Sequence, residues 1–405
     1  MRSAIGGILS AVFAPLRSAF AGTVATPRFF RRIVTKENQS SALIEWQTDA
    51  ALADPKFFWR ETGGKAEKAA DVDVKYFALD DHPVFVYRAA LSGLPVGKRI
   101  ECRVEAAGRT AGTFSFRTDD GGAFQALIFP DSQCEGDYAT WARVSGEAAA
   151  RRPDAALWVN MGDLVDNGAS FYHWEGWQEA TDASLGGRAF APVMGNHECY
   201  STDWEFCRPD AFLSLFRTPD NGSAKYQRYY YSFDYGPVHF TVLNTQREEL
   251  GALAPGLFEE QAAWLARDLQ SAKARWRVAL LHRDLIDYDA KPMARDAFVE
   301  TLVPVLEAGG VDAVLTAHAH AYRRRRLSAW KQTKDGVLYI LTGNAGNCFY
   351  DVEKNEIDEI AFPNNFLNYM TMEADETKLT FQCFLPNGIL KDFVTLRKNP
   401  AAGKS

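Results

Sequence analysis

At 405 residues the chain exceeds the size, about 250–300 residues, at which a single hydrophobic core usually stops growing, so it has room for two domains. With 47% hydrophobic and 24% charged residues it sits among ordinary globular proteins, and no internal repeat or low-complexity segment interrupts it. The net charge of −7 is spread along the chain rather than blocked; this gives no support for nucleic-acid binding, and an anionic substrate would have to be attracted locally.

Residues 1–22 read as an export signal: Arg2 opens a short positive region, Ala4–Leu16 is small and apolar, and Ala19-Phe20-Ala21 fits a small-residue cleavage site. The expected location is periplasmic or secreted, with a mature chain starting near Gly22. Arg17 and the glycines and proline of the apolar stretch leave a frayed cytosolic N-terminus as the alternative. No later run is long enough for a transmembrane helix.

From Thr35 to about Asp119 the pattern is all-β. Ser41–Thr48 alternates with strand period, and Val84–Leu94, Arg99–Ala106 and Gly112–Arg117 follow between Gly/Pro turns. Strands of this length and spacing predict a β-sandwich. Asp119-Asp-Gly-Gly122 reads as a polar, flexible linker, so residues 23–122 are expected to form one domain with its linker, 123–398 a second, and 399–405 a tail.

In the second domain five short apolar runs, Gln125–Pro130, Leu157–Met161, Phe190–Met194, Arg277–Leu281 and Val311–Ala317, read as buried strands of an α/β fold. The segment Asn167–Asp182, with Phe171, Tyr172, Trp174 and Trp177, reads as an aromatic-rich loop that either lines a substrate pocket together with His173 or packs the two domains together. Glu259–Lys273 reads as an amphipathic helix, and Ala294–Ala308 as a second that Pro304 must kink or interrupt. Val337–Leu341 leads into a glycine-rich turn, Thr342–Gly346. Met370–Ala374, Lys378–Phe384 and Phe393–Leu396 close the domain as an antiparallel meander.

Each of the five apolar runs is followed by metal-seeking residues: Asp131-Ser132-Gln133, Gly162-Asp163-Leu164-Val165-Asp166, Gly195-Asn196-His197-Glu198, His282, and His318-Ala319-His320. Residues just beyond the carboxyl ends of several strands converge on one sheet edge, where α/β folds place their sites. Four of the seven histidines fall in these clusters, which argues against scattered core histidines. Carboxylates, an amide and imidazoles together suit one or two divalent or trivalent ions of intermediate hardness. The Asp163 carboxylate can bridge two cations about 3.5–4 Å apart, and His318 and His320 alternate along extended backbone, so both can face the ions while Ala319 points away.

Outside these clusters, His239 reads as a satisfied core or edge histidine. Arg323–Arg326 reads as a solvated strand or turn face with packed stems, with a phosphate or nucleic-acid patch as the alternative. The six cysteines permit disulfides without showing them. Cys199 and Cys207, in one polar loop, are the expected pair, and Cys102 and Cys383 read as small buried hydrophobes.

The ordered set of five motifs resembles the calcineurin-like metallophosphoesterases. Arg228–Phe240 and Ala317–Arg323 narrow the resemblance to the purple-acid-phosphatase-like branch, over roughly Thr35 to Leu396. The resemblance implies an α/β protein in which a fibronectin-III-like β-sandwich precedes a two-sheet βαβαβ sandwich flanked by helices. The site would then lie at one edge, between the sheets. Tyr87–Gly97 carries the amino-terminal part of the likeness, although Ile100 stands where a tyrosine is usual, so no tyrosine-corner hydrogen bond is expected.

It further implies two metal ions, iron, zinc or manganese, bound by Asp131, Asp163, Asn196, His282, His318 and His320. Asn196 would also reach the substrate phosphate. His197 would bind no metal and would protonate the leaving oxygen, and Glu198 would orient His197 or the loop. Gln133 stands where many of the family carry a histidine ligand. It is either a weak ligand, or a partner of a metal-bound water, or a polar residue outside the ligand set. Asp166 stands where purple acid phosphatases place the tyrosine that binds ferric iron and gives the colour, which puts both the colour and a stable ferric ion in doubt. A loop-capping role for Asp166 competes with coordination.

The implied reaction is hydrolysis of a small-molecule phosphate ester by a metal-bound hydroxide, with acid-phosphatase-like phosphomonoesterase activity as the leading form. One rival is a phosphodiesterase acting on nucleotide or phospholipid-type substrates, since ester class is set by the loops. The other is a metal-binding scaffold that has lost catalysis.

Overall fold

The computed structural model describes residues 25–400 apart from 289, 291, 292 and 364; the expected export signal and residues 401–405 of the tail lie outside the described residues. Two large sheets organise the chain. The larger runs, edge to edge, Leu390–Arg397, Lys378–Phe384, Tyr369–Ala374, Phe124–Phe129, Leu157–Asn160, Ala189–Pro192, Arg28–Ile33, Ser41–Thr48, His82–Ser92 and Val72–Leu79. The smaller runs Tyr231–Tyr235, Val238–Val242, Trp276–Leu280, Ala313–Thr316, Val337–Thr342, Tyr322–Ser328 and Lys331–Gln332. All five apolar runs are strands. Phe124–Phe129, Leu157–Asn160 and Ala189–Pro192 are mutually parallel in the first sheet, and Val238–Val242, Trp276–Leu280, Ala313–Thr316 and Val337–Thr342 in the second.

These strands are apolar throughout because both faces are covered. Ala126, Ile128, Leu157, Val159 and Ala191 point inward and meet Phe240, Val278, Leu280, Leu315 and Ile340 of the other sheet. The alternate residues Leu127, Phe129, Trp158 and Phe190 point outward, into a layer built on the helices Ala139–Arg151 and Phe171–Leu185. Opposed sheets of parallel strands therefore deliver all their carboxyl ends to the same rim.

The strands expected before residue 119 form two layers. Lys56–Glu61, Lys68–Ala70, Arg99–Ala106 and Arg109–Arg117 make a separate sheet, packed onto Ser41–Thr48 and His82–Ser92 through Trp46, Phe57, Trp59, Tyr87 and Phe116. The expected division near 122 is nevertheless bridged. Arg28–Ile33, not read as a strand from the sequence, pairs in parallel with Ala189–Pro192 and antiparallel with Ser41–Thr48, so one sheet runs through both halves. Two of its arginines are buried: Arg31 and Arg88 flank the Glu45 carboxylate at 3.8 and 2.8 Å, and Arg32 lies over the Phe116 ring. The Asp119–Gly122 segment is tied down as well. Asp119 accepts hydrogen bonds from the N–H groups of Gly121 and Gly236, both at 2.9 Å, so it is an anchored connection rather than a flexible linker.

Other expectations are corrected by tertiary contacts. The aromatic-rich segment is a helix, Phe171–Leu185, not a loop. Trp174 and Trp177 are buried on its inner face, and Phe171 stacks on His82 of the amino-terminal half at 4.1 Å, which is the domain-packing alternative. The first expected helix is Leu257–Ser271. The second is shorter than read, Val299–Ala308, with Asp296 Oδ1 accepting the N–H groups of Phe298 and Val299 at its start, and it runs through Pro304. Arg323 and Arg325 are buried rather than solvated, Arg325 between Asp284 and Asp358, while Arg324 pairs with Asp392 at 2.7 Å; three of the four arginines of the basic run are spent on internal ion pairs. All six cysteines are free. The Cys207 N–H bonds the Cys199 carbonyl, but the buried Cys199 thiol is turned toward the Gly195 carbonyl 3.9 Å away, and no disulfide forms.

His239 is the satisfied strand histidine expected. Its ring bridges Asp234 at 2.6 Å and Asp268 at 3.0 Å, and these hydrogen bonds outweigh burial and raise its pKa to about 9. A raised folded-state pKa contributes stability that is fully present below the unfolded value of about 6.5 and is lost as pH rises through about 9. His239→Gln should therefore be less stable than the parent at pH 6, with the gap in urea midpoint closing between pH 7 and 10. A gap independent of pH would show that the ring acts only by packing.

Candidate metal centre

The parallel strands end just short of the metal-seeking residues. Phe124–Phe129 is followed by Asp131, Leu157–Asn160 by Asp163, Ala189–Pro192 by Asn196 and His197, Trp276–Leu280 by His282, and Ala313–Thr316 by His318 and His320. Asp131, Asp163, Asn196, His282 and His320 are buried, and the donor atoms of Asp131, Asp163, His282, His318 and His320 form two groups that share one member. Asp163, His282 and His318 make the first, and Asp131, Asp163 and His320 the second, each with ligand atoms within 4.8 Å of one another.

The backbone is bent to achieve this. Asp163, His318 and His320 all have left-handed φ, 47°, 75° and 50°. Strain of this kind in non-glycine residues persists where surrounding structure imposes it, and clusters at functional sites. It also corrects the expectation of extended backbone at His318 and His320. The strand stops at Thr316, and the two histidines serve different groups instead of sharing a face. Gly162, at φ 102°, has to be glycine, because a Cβ there would collide with the His282 ring and lie 2.9 Å from the Gly195 backbone.

Protons decide what the cluster can hold. His282 Nδ1 lies 2.9 Å from the Met161 carbonyl, which only accepts, so Nδ1 carries the proton. His282 Nε2 then faces Asp163 Oδ2 at 3.1 Å and Asn196 Oδ1 at 3.0 Å, three electron-pair donors around one point. Without a cation the ring must take a second proton; despite burial, Asp163 and Asp131 raise its pKa to about 9. Donors about 2.1 Å from a common ion lie about 3.0–3.4 Å apart at tetrahedral or octahedral angles, so this spacing fits a bound metal. Burial pushes the Asp131 carboxyl up, partly opposed by His320 and His282. Burial also opposes the charge on Asp163, but His282 and His197 outweigh it and hold that carboxyl well below the usual range.

Neighbouring groups fix the ligands. Both Asp131 oxygens accept the His318 N–H at 3.0 Å. Asp163 Oδ1 accepts the His197 N–H at 2.9 Å. The Glu198 carboxylate accepts the N–H groups of Gly195, Leu164 and Asp163 at 2.7, 2.8 and 3.0 Å, so it steadies the Asp163 loop and does not touch the His197 ring. That ring is oriented instead by its Nδ1–H, donated to the Asp166 carbonyl at 2.7 Å. The Asp166 carboxylate accepts the N–H groups of Cys134, Glu135 and Gly136 and the Tyr138 hydroxyl, the loop-capping alternative, and it belongs to neither donor group. Gln133 is buried beside the second group, its Nε2 3.2 Å from His320 Nε2.

One feature was not read from the sequence. Arg283 lies 3.3 Å from His318 Nε2 and is held by Glu249 at 2.6 Å; its position directly after His282 was the available signal. Aromatic rings also flank the centre. Tyr200 and Trp204 lie edge-on to His197 at 5.5 and 5.9 Å, and Tyr350 stacks on His320 at 4.4 Å.

Residues 124–322 match the calcineurin-like phosphoesterase family. Purple acid phosphatase 18 of Arabidopsis thaliana is 27% identical over 197 residues, 47% of this chain and 44% of that protein. Purple acid phosphatase 15 of the same plant is 28% identical over 179 residues, 43% of this chain and 32% of that protein. The chain thus spans less than half the length of these curated relatives. A purple acid phosphatase from yellow lupin (Lupinus luteus) seeds shares the fold with a TM-score of 0.78 at 17% identity, over 92% of this chain and 74% of that one. The structure of PhoD does so with a TM-score of 0.65 at 12% identity, over 95% of this chain and 94% of the other.

Proposed function

Because residues 124–322 form a calcineurin-like phosphoesterase domain, we propose that this chain hydrolyses phosphate monoesters at a two-cation centre, in the manner of a purple acid phosphatase. The observation that carries the reading is the Asp163 carboxylate shared between two donor groups at one rim of the sheets. Asp131 and His320 would hold one cation with Asp163, and Asn196, His282 and His318 the other. Bound there, two cations supply Lewis acidity, charge neutralisation and an acidified water.

The chain's own groups then divide the remaining work. Burial disfavours a charged His197, but Asp163 and the Asp166 carbonyl outweigh it and raise its pKa, so the ring can hold a proton on Nε2 for the leaving oxygen. Arg283, fixed by Glu249, offers a permanent positive charge beside His318 to a phosphoryl oxygen. Asn196 turns Oδ1 to the ligand cluster, and the adjacent His197 ring lies edge-on to Tyr200 and Trp204, which links the centre to the Tyr200–Trp204 loop. No helix of the described residues is long and apolar enough to cross a membrane. The signal pattern of residues 1–22 supports export, and the two-layered amino-terminal half is read as fibronectin-III-like.

The test is turnover of an aryl phosphate monoester against a bis-aryl diester by the metal-loaded protein. The monoester should have the higher kcat/KM, by about tenfold or more, a difference of about 1.4 kcal/mol in transition-state stabilisation. Preference for the diester would replace this reading with a phosphodiesterase, and turnover of neither with a metal-binding scaffold.

A further inference from the structure

Gln133 is 1% exposed and its Oε1 has no hydrogen-bond partner, the one such orphan oxygen among the donor residues of the centre within the described residues. Its backbone is locked: the N–H donates to the Asp163 carbonyl at 3.1 Å, and the carbonyl accepts the Asn347 N–H at 3.2 Å. Only the terminal amide is left to turn. That amide sits against the Asp131, Asp163 and His320 group, 3.2 Å from His320 Nε2 and 3.5 Å from Asp163 Oδ2. These separations are those of neighbouring ligands on one ion, and they match the 3.6 Å between Asp131 Oδ1 and His320 Nε2.

Proton bookkeeping sets the orientation. His320 Nδ1 donates to the Cys348 carbonyl at 2.7 Å, so Nε2 presents a lone pair. With no cation present an amide N–H can donate to that lone pair. A cation on Nε2 repels the amide N–H₂ and attracts the carbonyl oxygen, and a half-turn of the planar amide exchanges the two without moving any other atom. The Asp166 carboxylate, the other candidate, is occupied by three backbone N–H groups and a tyrosine hydroxyl.

Resting on the two-cation reading, we infer that Gln133 Oε1 is a ligand of the cation held by Asp131, Asp163 and His320, and that its neutrality makes this half of the centre a divalent rather than a ferric site. Asp131 and the Asp163 carboxylate shared with the other cation, together with two neutral donors, supply at most −2 to this half, which suits a divalent ion; an anionic fourth donor would be needed for a trivalent one.

The test is Mn²⁺ binding to EDTA-treated protein, followed by titration calorimetry and by the EPR signal of free Mn²⁺. The parent should bind two equivalents. Q133A should bind one as the parent does and the other at least tenfold more weakly, and Q133E, which keeps an oxygen donor at the same reach, should bind both. Thermal midpoints of the three proteins in EDTA control for folding. Two equivalents of parent affinity in Q133A overturn this inference alone. If Q133A does not fold, Q133E decides: one equivalent instead of two overturns it. A parent protein that takes up no divalent ion overturns the two-cation reading as well.

Discussion

Asp163→Ala is expected to strip both cations and to reduce phosphate-ester turnover by about 10³-fold or more, the equivalent of the several kcal/mol that metal ions contribute to such transition states. The effect should exceed that of removing any other ligand, because Asp163 alone belongs to both donor groups. Without it the paired His282 Nε2 and Asn196 Oδ1 lose their nearest carboxylate, and the Asp131 and His320 pair loses its second anion. Asp163→Asn is the informative companion, since asparagine tolerates the left-handed φ of 47° while removing the charge. Elemental analysis should show it intermediate in metal content. The parent should also lose thermal stability in EDTA, because ligands that bind only the folded state stabilise it, and Asp163→Ala should be insensitive to EDTA. Two equivalents of metal in Asp163→Ala would show that the shared carboxylate is not a bridge.

His197→Ala should act in the opposite way on the two readouts. Metal content should stay near that of the parent, because His197 belongs to neither donor group and touches Asp163 only through its backbone N–H, which alanine keeps. Turnover should fall by about 10²–10⁴-fold, the usual worth of a general acid. The loss should shrink for nitrophenyl esters, whose leaving groups hardly need a proton, and be full for alkyl esters. His318→Ala, by contrast, should deplete metal. If His197→Ala loses metal as readily as His318→Ala, or slows aryl and alkyl esters alike, His197 is not the proton donor.

The two variants probe neighbouring stretches of chain whose roles are separated by where the strands end. Asn196 and His197 are adjacent, yet Asn196 turns its oxygen into the ligand cluster while the His197 ring is held at the rim by the Asp166 carbonyl. Glu198, next again, is spent wholly on backbone N–H groups of the Asp163 loop. In the proposed reading three consecutive side chains would thus serve the metal, the leaving group and the loop. Trp204 and Tyr200 beside His197, and Tyr350 on His320, leave the leaving-group side of the centre lined with rings.

The amino-acid sequence by itself determined the strands that carry the centre and the identity of its ligand candidates. Apolar runs such as Leu157–Asn160 are legible because both faces of a covered parallel strand are buried, and Asp131, Asp163, Asn196, His282, His318 and His320 are legible because each follows such a run. What depended on partners distant in the chain was not legible. Arg28–Ile33 is a central strand because Ala189–Pro192, more than 150 residues on, pairs along its other side, and Phe171–Leu185 is a helix whose tryptophans are paired with a core built from other segments. The same holds within the site. The Asp166 carboxylate is taken up by the N–H groups of Cys134–Gly136, 30 to 32 residues before it, and the Glu198 carboxylate by those of the Asp163 loop. A buried polar group goes to whichever partner the fold brings within about 3 Å, and local sequence does not say which that will be.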